Sequence, residues 1–449
     1  MLSAIIEGFK IVANKWELVL GIVALVGLLV QKAPGNKVVM GVIKTIVGVL
    51  VLKAGSAALL GAFRPAMEIL QKAFGLTGVV MDPYGGWVSA MENLGPLVGL
   101  AAQIMVFGFI VNIILARITP LHYVYLTGHT MLAFCCFVAW VVRYFFGLDG
   151  VGLVVAGSLI AGTYWTILPA WVHRYSRKFA GDSFTLGHMS GVGCIIGSLV
   201  GKAVNKPNDS TEELKLPGYL GMFGDNVIAT TILMTLFFSG ICLLAGEKIV
   251  ASYAKPDNWA LWSMFLGAQF TVGIVVLLTG VRMMLAEIVP AFKGISDKVI
   301  PGAIPALDMP VFFPLAPTAA VLGFVSTFAG EFIGMGLLLA VGSRVVTIPG
   351  VIPTFFDGGT LGVFANHYGG WKATILAGLL VGVLQMIGGS FLAPLTALKN
   401  AVYPNTDYTT VWVILSAVAN ALKNIWLFMA VFAAIAVFAF WRLGADQSK

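Results

Sequence analysis

Residues 38–62 read VVMGVIKTIVGVLVLKAGSAALLGA. A helix needs about 20 predominantly apolar residues to cross the hydrocarbon of a bilayer, and this run supplies them. A barrel strand would need about 10 with strict alternation, which the run lacks. Working outward, windows of similar character fall near 15–31, 93–116, 121–146 and 150–172, then near 226–247, 261–286, 313–342, 371–396 and 411–441. A shorter Gly-rich stretch at 184–203 adds an eleventh segment that need not cross fully. The pattern predicts an all-α polytopic membrane protein of about 11 helices, since a membrane-spanning chain must satisfy its backbone internally.

Composition agrees. Apolar residues make up 59% of the 449 and charged residues 10%, with a mean hydropathy of +0.95. Soluble domains carry about 25% charged residues. The formal charge of +7 is spread over loops facing lipid headgroups and forms no nucleic-acid footprint. Cys135, Cys136, Cys194 and Cys242 lie in apolar stretches without metal-ligand spacing, so they read as small buried residues. Residues 1–30 contain Glu7 and Glu17 and no small-residue cleavage site, hence no signal peptide is expected. Trp16, Trp87, Trp259, Trp262, Trp371 and Trp441 sit near span ends as interfacial anchors.

The most polar segment, 202–225, falls near mid-chain and predicts a connection between two membrane halves, 1–201 and 226–442, followed by a tail at 443–449. The halves echo one another weakly. Arg64-Pro65-Ala66 precedes Asp82-Pro83-Tyr84-Gly85-Gly86, as Val289-Pro290-Ala291 precedes Asp308-Met309-Pro310. Five spans per half would give repeats of inverted topology, an architecture of many transporters. The basic cluster His173 to Lys178 favours a cytoplasmic side for its loop, while the other loops do not decide the orientation.

Helix-breaking residues at membrane depth are tolerated only where they line a cavity or lie buried in protein. Three places qualify: Met81 to Trp87, Ile300 to Pro317, and Pro349 to Gly370. Each reads either as a broken helix beside a cavity or as an ordinary loop. Ionisable residues within spans are costly. Lys53, Asp308 and Glu331 stand out, and His129 and His188 each follow a glycine. Lys53 could pair with either Asp308 or Glu331. A lone histidine is more often a satisfied structural ring than a ligand. No P-loop, His-Glu-x-x-His or Gly-x-Ser-x-Gly motif is present, so no catalytic residue, metal or cofactor is assigned. Movement of a small solute across the bilayer is the function this pattern favours.

The strings Leu52-Lys53-Ala54-Gly55-Ser56, Leu126-Thr127-Gly128-His129, Leu216-Pro217-Gly218-Tyr219, Phe292-Lys293-Gly294-Ile295-Ser296, Ile348-Pro349-Gly350 and Gly362-Val363-Phe364-Ala365-Asn366-His367 occur in the same order as in a known family. Over nearly the whole chain the sequence resembles the membrane subunit (enzyme IIC) of the ascorbate-type bacterial phosphotransferase system. The resemblance implies an inner-membrane homodimer with a V-shaped dimerisation domain and a mobile core that moves elevator-fashion. It also implies separate IIA and IIB partners, the latter phosphorylating the sugar from a cysteine. The family's solute pocket falls on Ser56, Tyr84, His129, His188 and Asp308, with Pro83, Gly85, Met189, Met309 and Pro310 beside them. The family carries glutamines after both Gly-His pairs, where this chain has Ala133 and Phe134, then Met189, Ser190 and Gly191. Fewer amide partners should alter the choice of solute, whether ascorbate or a related sugar acid or polyol. Lys53 with Glu331 is the candidate charge pair that the resemblance implies. Proton-coupled transport on the same fold, carried by Asp308 or Glu331, is the alternative; a membrane enzyme built on His129, His188 and His367 is a more distant one.

Overall fold

The computed structural model describes residues 15–75, 78–213, 225–255, 257–398 and 401–447. Among these, nine helices are long and apolar enough to cross a membrane, and three apolar helices are shorter. The first half contains α1 (Trp16–Val30), α2 (Gly35–Phe74), α3 (Pro83–Leu94), α4 (Val98–Ile118), α5 (Gly128–Phe146), α6 (Gly150–Ala180) and α7 (Gly191–Val204). The second contains α8 (Asn226–Ala245), α9 (Glu247–Ala254), α10 (Trp259–Lys298), α11 (Pro317–Ala340), α12 (Val351–Thr396), α13 (Thr406–Thr409), α14 (Val411–Leu422) and α15 (Ile425–Gln447).

Several boundaries differ from the sequence reading. The span expected over 411–441 is two helices, because Lys423 takes a left-handed conformation (φ 47°) and closes α14. The stretch 184–203 is a strand and turn leading into the 14-residue α7, too short to cross. The tail expected from 443 continues α15 to Gln447. The break expected over Pro349 to Gly370 is helical from Val351, and only Gly370 (φ 70°, ψ −165°) departs, as a kink within α12. Its glycines serve packing instead: a Cβ on Gly362 would come within 2.5 Å of the Ala319 carbonyl of α11.

Two helices of 40 residues, α2 and α10, cross at glycines. A Cβ on Gly55 would lie 2.3 Å from the Leu277 amide nitrogen, and one on Gly280 the same distance from that of Leu52. Without those side chains the backbones meet directly, which is how helices gain contact where lipid supplies no hydrophobic drive. α1 and α8 pack against this pair.

At the other two expected breaks the helices do stop: Met81 ends a strand just before α3 begins at Pro83, and Ile300 to Pro317 holds a strand, Ile304–Leu307, followed by the short helix Met309–Leu315. Among the described residues, six strands of two to four residues form two parallel three-stranded sheets. In one, β1 (Val79–Met81) lies between β5 (Thr347–Ile348) and β6 (Ala401–Val402), with Val80 opposite both Ile348 and Ala401. In the other, β4 (Ile304–Leu307) lies between β2 (Tyr123–Tyr125) and β3 (Thr185–Leu186), with Ala306 opposite both Tyr125 and Thr185. Each sheet therefore takes its central strand from the opposite half of the chain. The amides and carbonyls freed where a helix stops are paired there.

The polar connection is described as far as residue 213, and 214–224 lie outside the described residues. Its ordered part docks on the second half. Asn366, fully buried in α12, accepts from the Thr211 amide (3.0 Å) and donates to Ser210 Oγ (2.9 Å). Glu212 accepts from the Ala319 amide (3.0 Å) and Thr318 Oγ1 (3.1 Å), satisfying free donors at the start of α11. In the His173–Lys178 cluster, Lys178 donates to the His367 carbonyl (3.0 Å) and lies over the Tyr368 ring. Burial pushes the carboxyl of Asp182 up, but hydrogen bonds from His173 and Arg177 outweigh it and hold that group below its ordinary value.

Candidate functional site

Because the strands in each sheet are parallel, their carboxyl ends point the same way, and the chain leaving each strand turns before the next helix. Residues that follow each of the six strands, in the connection or in the first turn of the next helix, line one cavity of about 370 Å³. Pro83 follows β1, His129 follows β2, and His188 and Met189 follow β3. Asp308, Met309 and Pro310 follow β4; Ile352 and Pro353 follow β5; Tyr403 and Asn405 follow β6. Leu52, Lys53, Ser56 and Leu60 of α2 form one wall, and Trp87, Phe356 and Tyr408 supply aromatic surface.

The polar centre lies among three of these turns. His129 Nε2 is 3.7 Å from Asp308 Oδ2, and His188 Nε2 is 4.0 Å from Asp308 Oδ1. Asp308 also accepts from the Met309 amide (2.8 Å), so its carboxylate starts the short helix Met309–Leu315 and is held toward the rings. Candidate ligand atoms of His129, His188 and Asp308 all lie within 4.8 Å of one another. Two imidazoles and a carboxylate at this spacing can hydrogen-bond a polyol, and they are also a donor set that a divalent transition metal accepts.

Most of the expected pocket residues meet here: Ser56, Pro83, His129, His188, Met189, Asp308, Met309 and Pro310 all line the cavity. Gly85 does not. A Cβ there would come 2.6 Å from Cβ of Ala401, so it lets α3 lie on β6. The side chain of Tyr84 lies outside the described residues. Phe134 also leaves the pocket: it is fully buried against Tyr164 and Trp412, and Ala133 lines the cavity instead. Trp87 is a wall residue donating to Cys136 Sγ (3.2 Å), where an interfacial anchor was expected. His367 packs edge-on against Phe179 and takes no part in the histidine–aspartate group.

The charge pair expected between Lys53 and Glu331 does not form. Lys53 pairs with Glu17 of α1. Glu331 is 1% exposed in α11 and lies 2.7 Å through both oxygens from Thr354 Oγ1, which is itself 2.6 Å from the Gly350 carbonyl. One hydroxyl hydrogen cannot serve all three acceptors. The Gly350 carbonyl also accepts from the Thr354 amide (3.1 Å), which leaves the Thr354 hydroxyl to donate to Glu331.

Sequence reasoning missed the carboxylate behind the pocket. Asp357 of α12 is 1% exposed and accepts from Ser190 Oγ (2.5 Å), Asn405 Nδ2 (2.7 Å), Gln385 Nε2 (2.9 Å) and the Thr406 amide (3.1 Å). The available signal was an aspartate inside Phe355-Phe356-Asp357-Gly358-Gly359, within the stretch read as a break. Asp407 likewise caps α7, accepting from the Val192 amide (2.8 Å).

Comparison with known proteins adds independent information. The family model described as the sugar-specific permease component of the PTS system, EIIC-GAT, matches residues 10–411. The chain is 32% identical over 429 residues to a Mycoplasma pneumoniae protein named "Ascorbate-specific PTS system EIIC component", a match taking in 83% of this chain. The chain spans 64% of that relative's length. With a match over nearly its whole sequence and a multi-pass helical fold, the chain belongs to the EIIC-GAT family of PTS sugar-specific permeases.

Proposed function

We propose that the protein carries ascorbate or a related sugar acid across the bacterial inner membrane. Separate IIA and IIB proteins phosphorylate the solute on the cytoplasmic side and trap it there. The observation that carries this reading is the convergence of residues following all six strands on one cavity, with His129, His188 and Asp308 as its polar centre. A volume of about 370 Å³ suits a solute of monosaccharide size and lies at the small end of the range for ligand sites. The relative's name supports ascorbate.

An elevator mechanism fits the division of the helices. α1, α2, α8 and α10 pack on one another through the glycine crossing, as a scaffold and homodimerisation domain would. The turns and helices carrying the two sheets form the mobile core, and α2 is the wall against which it moves. The matching order of a 40-residue helix, a strand, a proline-led turn and further broken helices in each half supports inverted repeats.

Thermal-shift binding across ascorbate, pentitols, hexitols and sugar acids tests the reading. Stabilisation by ascorbate, abolished by Asp308→Ala, is the expected result. Stabilisation by a different solute would reassign the specificity to the changed wall at Ala133 and Met189. A second reading, proton-coupled transport on the same fold, draws on the buried acid Glu331. Uptake that persists without any IIB protein and collapses with a protonophore would replace the first reading by the second.

A further inference from the structure

The turn after β3 connects the cavity to the buried carboxylate behind it. His188 Nδ1 is 3.1 Å from Ser190 Oγ, and Ser190 Oγ is 2.5 Å from Asp357 Oδ1. Which nitrogen of His188 carries hydrogen follows from counting donors around Asp357. The Thr406 amide can only donate. Gln385 Nε2 lies against both Asp357 Oδ2 and the Pro404 carbonyl (3.1 Å), and a carbonyl only accepts, so this amide group is oriented with its hydrogens toward the carboxylate. Asn405 Nδ2 and Ser190 Oγ complete four contacts, two on each oxygen. Every acceptor position of Asp357 is then taken by a donor, which is the arrangement of an ionised carboxylate. The single hydrogen of Ser190 is committed to Asp357, so its oxygen can only accept from His188.

We infer that Asp357, acting through Ser190, is a positioning residue that holds His188 as the neutral Nδ1–H tautomer, so that Nε2 presents a lone pair to the cavity 4.0 Å from Asp308 Oδ1. The inference rests on reading the cavity as the solute site, and it specifies what that site recognises. Two acceptors side by side call for a ligand that brings its own hydrogens: adjacent hydroxyl groups, one to each acceptor. A solute whose neighbouring hydroxyls have been oxidised to carbonyls offers only lone pairs there and is rejected. Losing a hydrogen-bond partner at such a site is a large specificity term, commonly 10⁴-fold or more where the unpaired groups are buried.

The test is the ¹⁵N spectrum of histidine side chains in the full-length protein in nanodiscs. With five histidines in the chain, His188 is assigned by the signal lost in His188→Gln. The wild type should show a protonated Nδ1 and a bare Nε2 at His188. Ser190→Ala should mix the tautomers and weaken binding of a vicinal-diol sugar acid by roughly 10- to 100-fold. That variant should stay folded with a lowered Tm, since Asp357 loses a donor, and Ser190→Thr should restore both tautomer and binding. Asp357→Asn should shift the same His188 signals; if it does not fold, Ser190→Ala carries the test alone. An Nε2–H or doubly protonated His188 in the wild type overturns the inference, as does a tautomer indifferent to Ser190→Ala. A correct tautomer in a protein that binds no sugar acid leaves the positioning role standing and removes the proposed function, so the two failures are separable.

Discussion

At the scale of single residues, Glu331 is the sharpest departure from what charge alone suggests. A cation and an anion within apolar spans invite pairing, but Lys53 is served by Glu17 and Glu331 by a threonine. Glu331→Gln is therefore expected to fold with a Tm within a few degrees of wild type, since the amide oxygen can accept from Thr354 as the carboxyl does. Thr354→Val should cost about 1–3 kcal/mol by leaving the buried acid without its donor. Unfolding followed by circular dichroism in detergent distinguishes them, and a collapse of Glu331→Gln would show that the group carries charge in the folded state. The histidines and Asp308 were legible because ionisable groups in apolar runs are expensive. Asp357 was not, since its cost is offset by four donors that no short motif displays: Ser190, Gln385, Asn405 and Thr406 are far apart in sequence. Phe134 was misplaced because neighbouring residues on a helix face different ways, and the cavity takes Ala133.

At the scale of elements, long helices were legible from apolar windows and short strands were invisible. Strands of two to four residues carry no periodicity, and these acquire their partners only from distant segments. The prolines and glycines of 349–370 looked like a break; buried between α11, α7 and the polar connection, the glycines instead let backbones approach. Two substitutions test these contacts. Gly280→Leu places a side chain where a Cβ already meets the Leu52 amide at 2.3 Å, and should destabilise the α2–α10 pair by on the order of 1–3 kcal/mol or more. Crosslinking yield between cysteines placed on the two helices should fall with it. Asn366→Leu removes the latch on Ser210 and Thr211. Amide exchange at residues 210–213 should quicken while the α2–α10 region is unchanged; protection equal to wild type would assign the docking of this segment to Glu212 alone.

At the scale of the whole molecule, the two halves are interleaved rather than abutted. β1 needs strands from the second half on both sides, and β4 needs strands from the first. Two polypeptides made by cutting the gene within 214–224 should assemble a binding-competent protein when co-expressed. Either alone should be degraded or aggregate, as judged by detergent size-exclusion chromatography. A half that folds by itself would mean that the cross-paired strands are incidental to stability. This interleaving also sets an order of events during synthesis. β2 and β3 are translated and inserted well before β4 exists, and their unpaired amides and carbonyls must be tolerated until Leu307 has left the ribosome. The nascent first half is thus a substrate for membrane chaperones and quality-control proteases for much of the time its second half is being made. Translation that stalls before Leu307 is expected to yield discarded chain and no functional fragment.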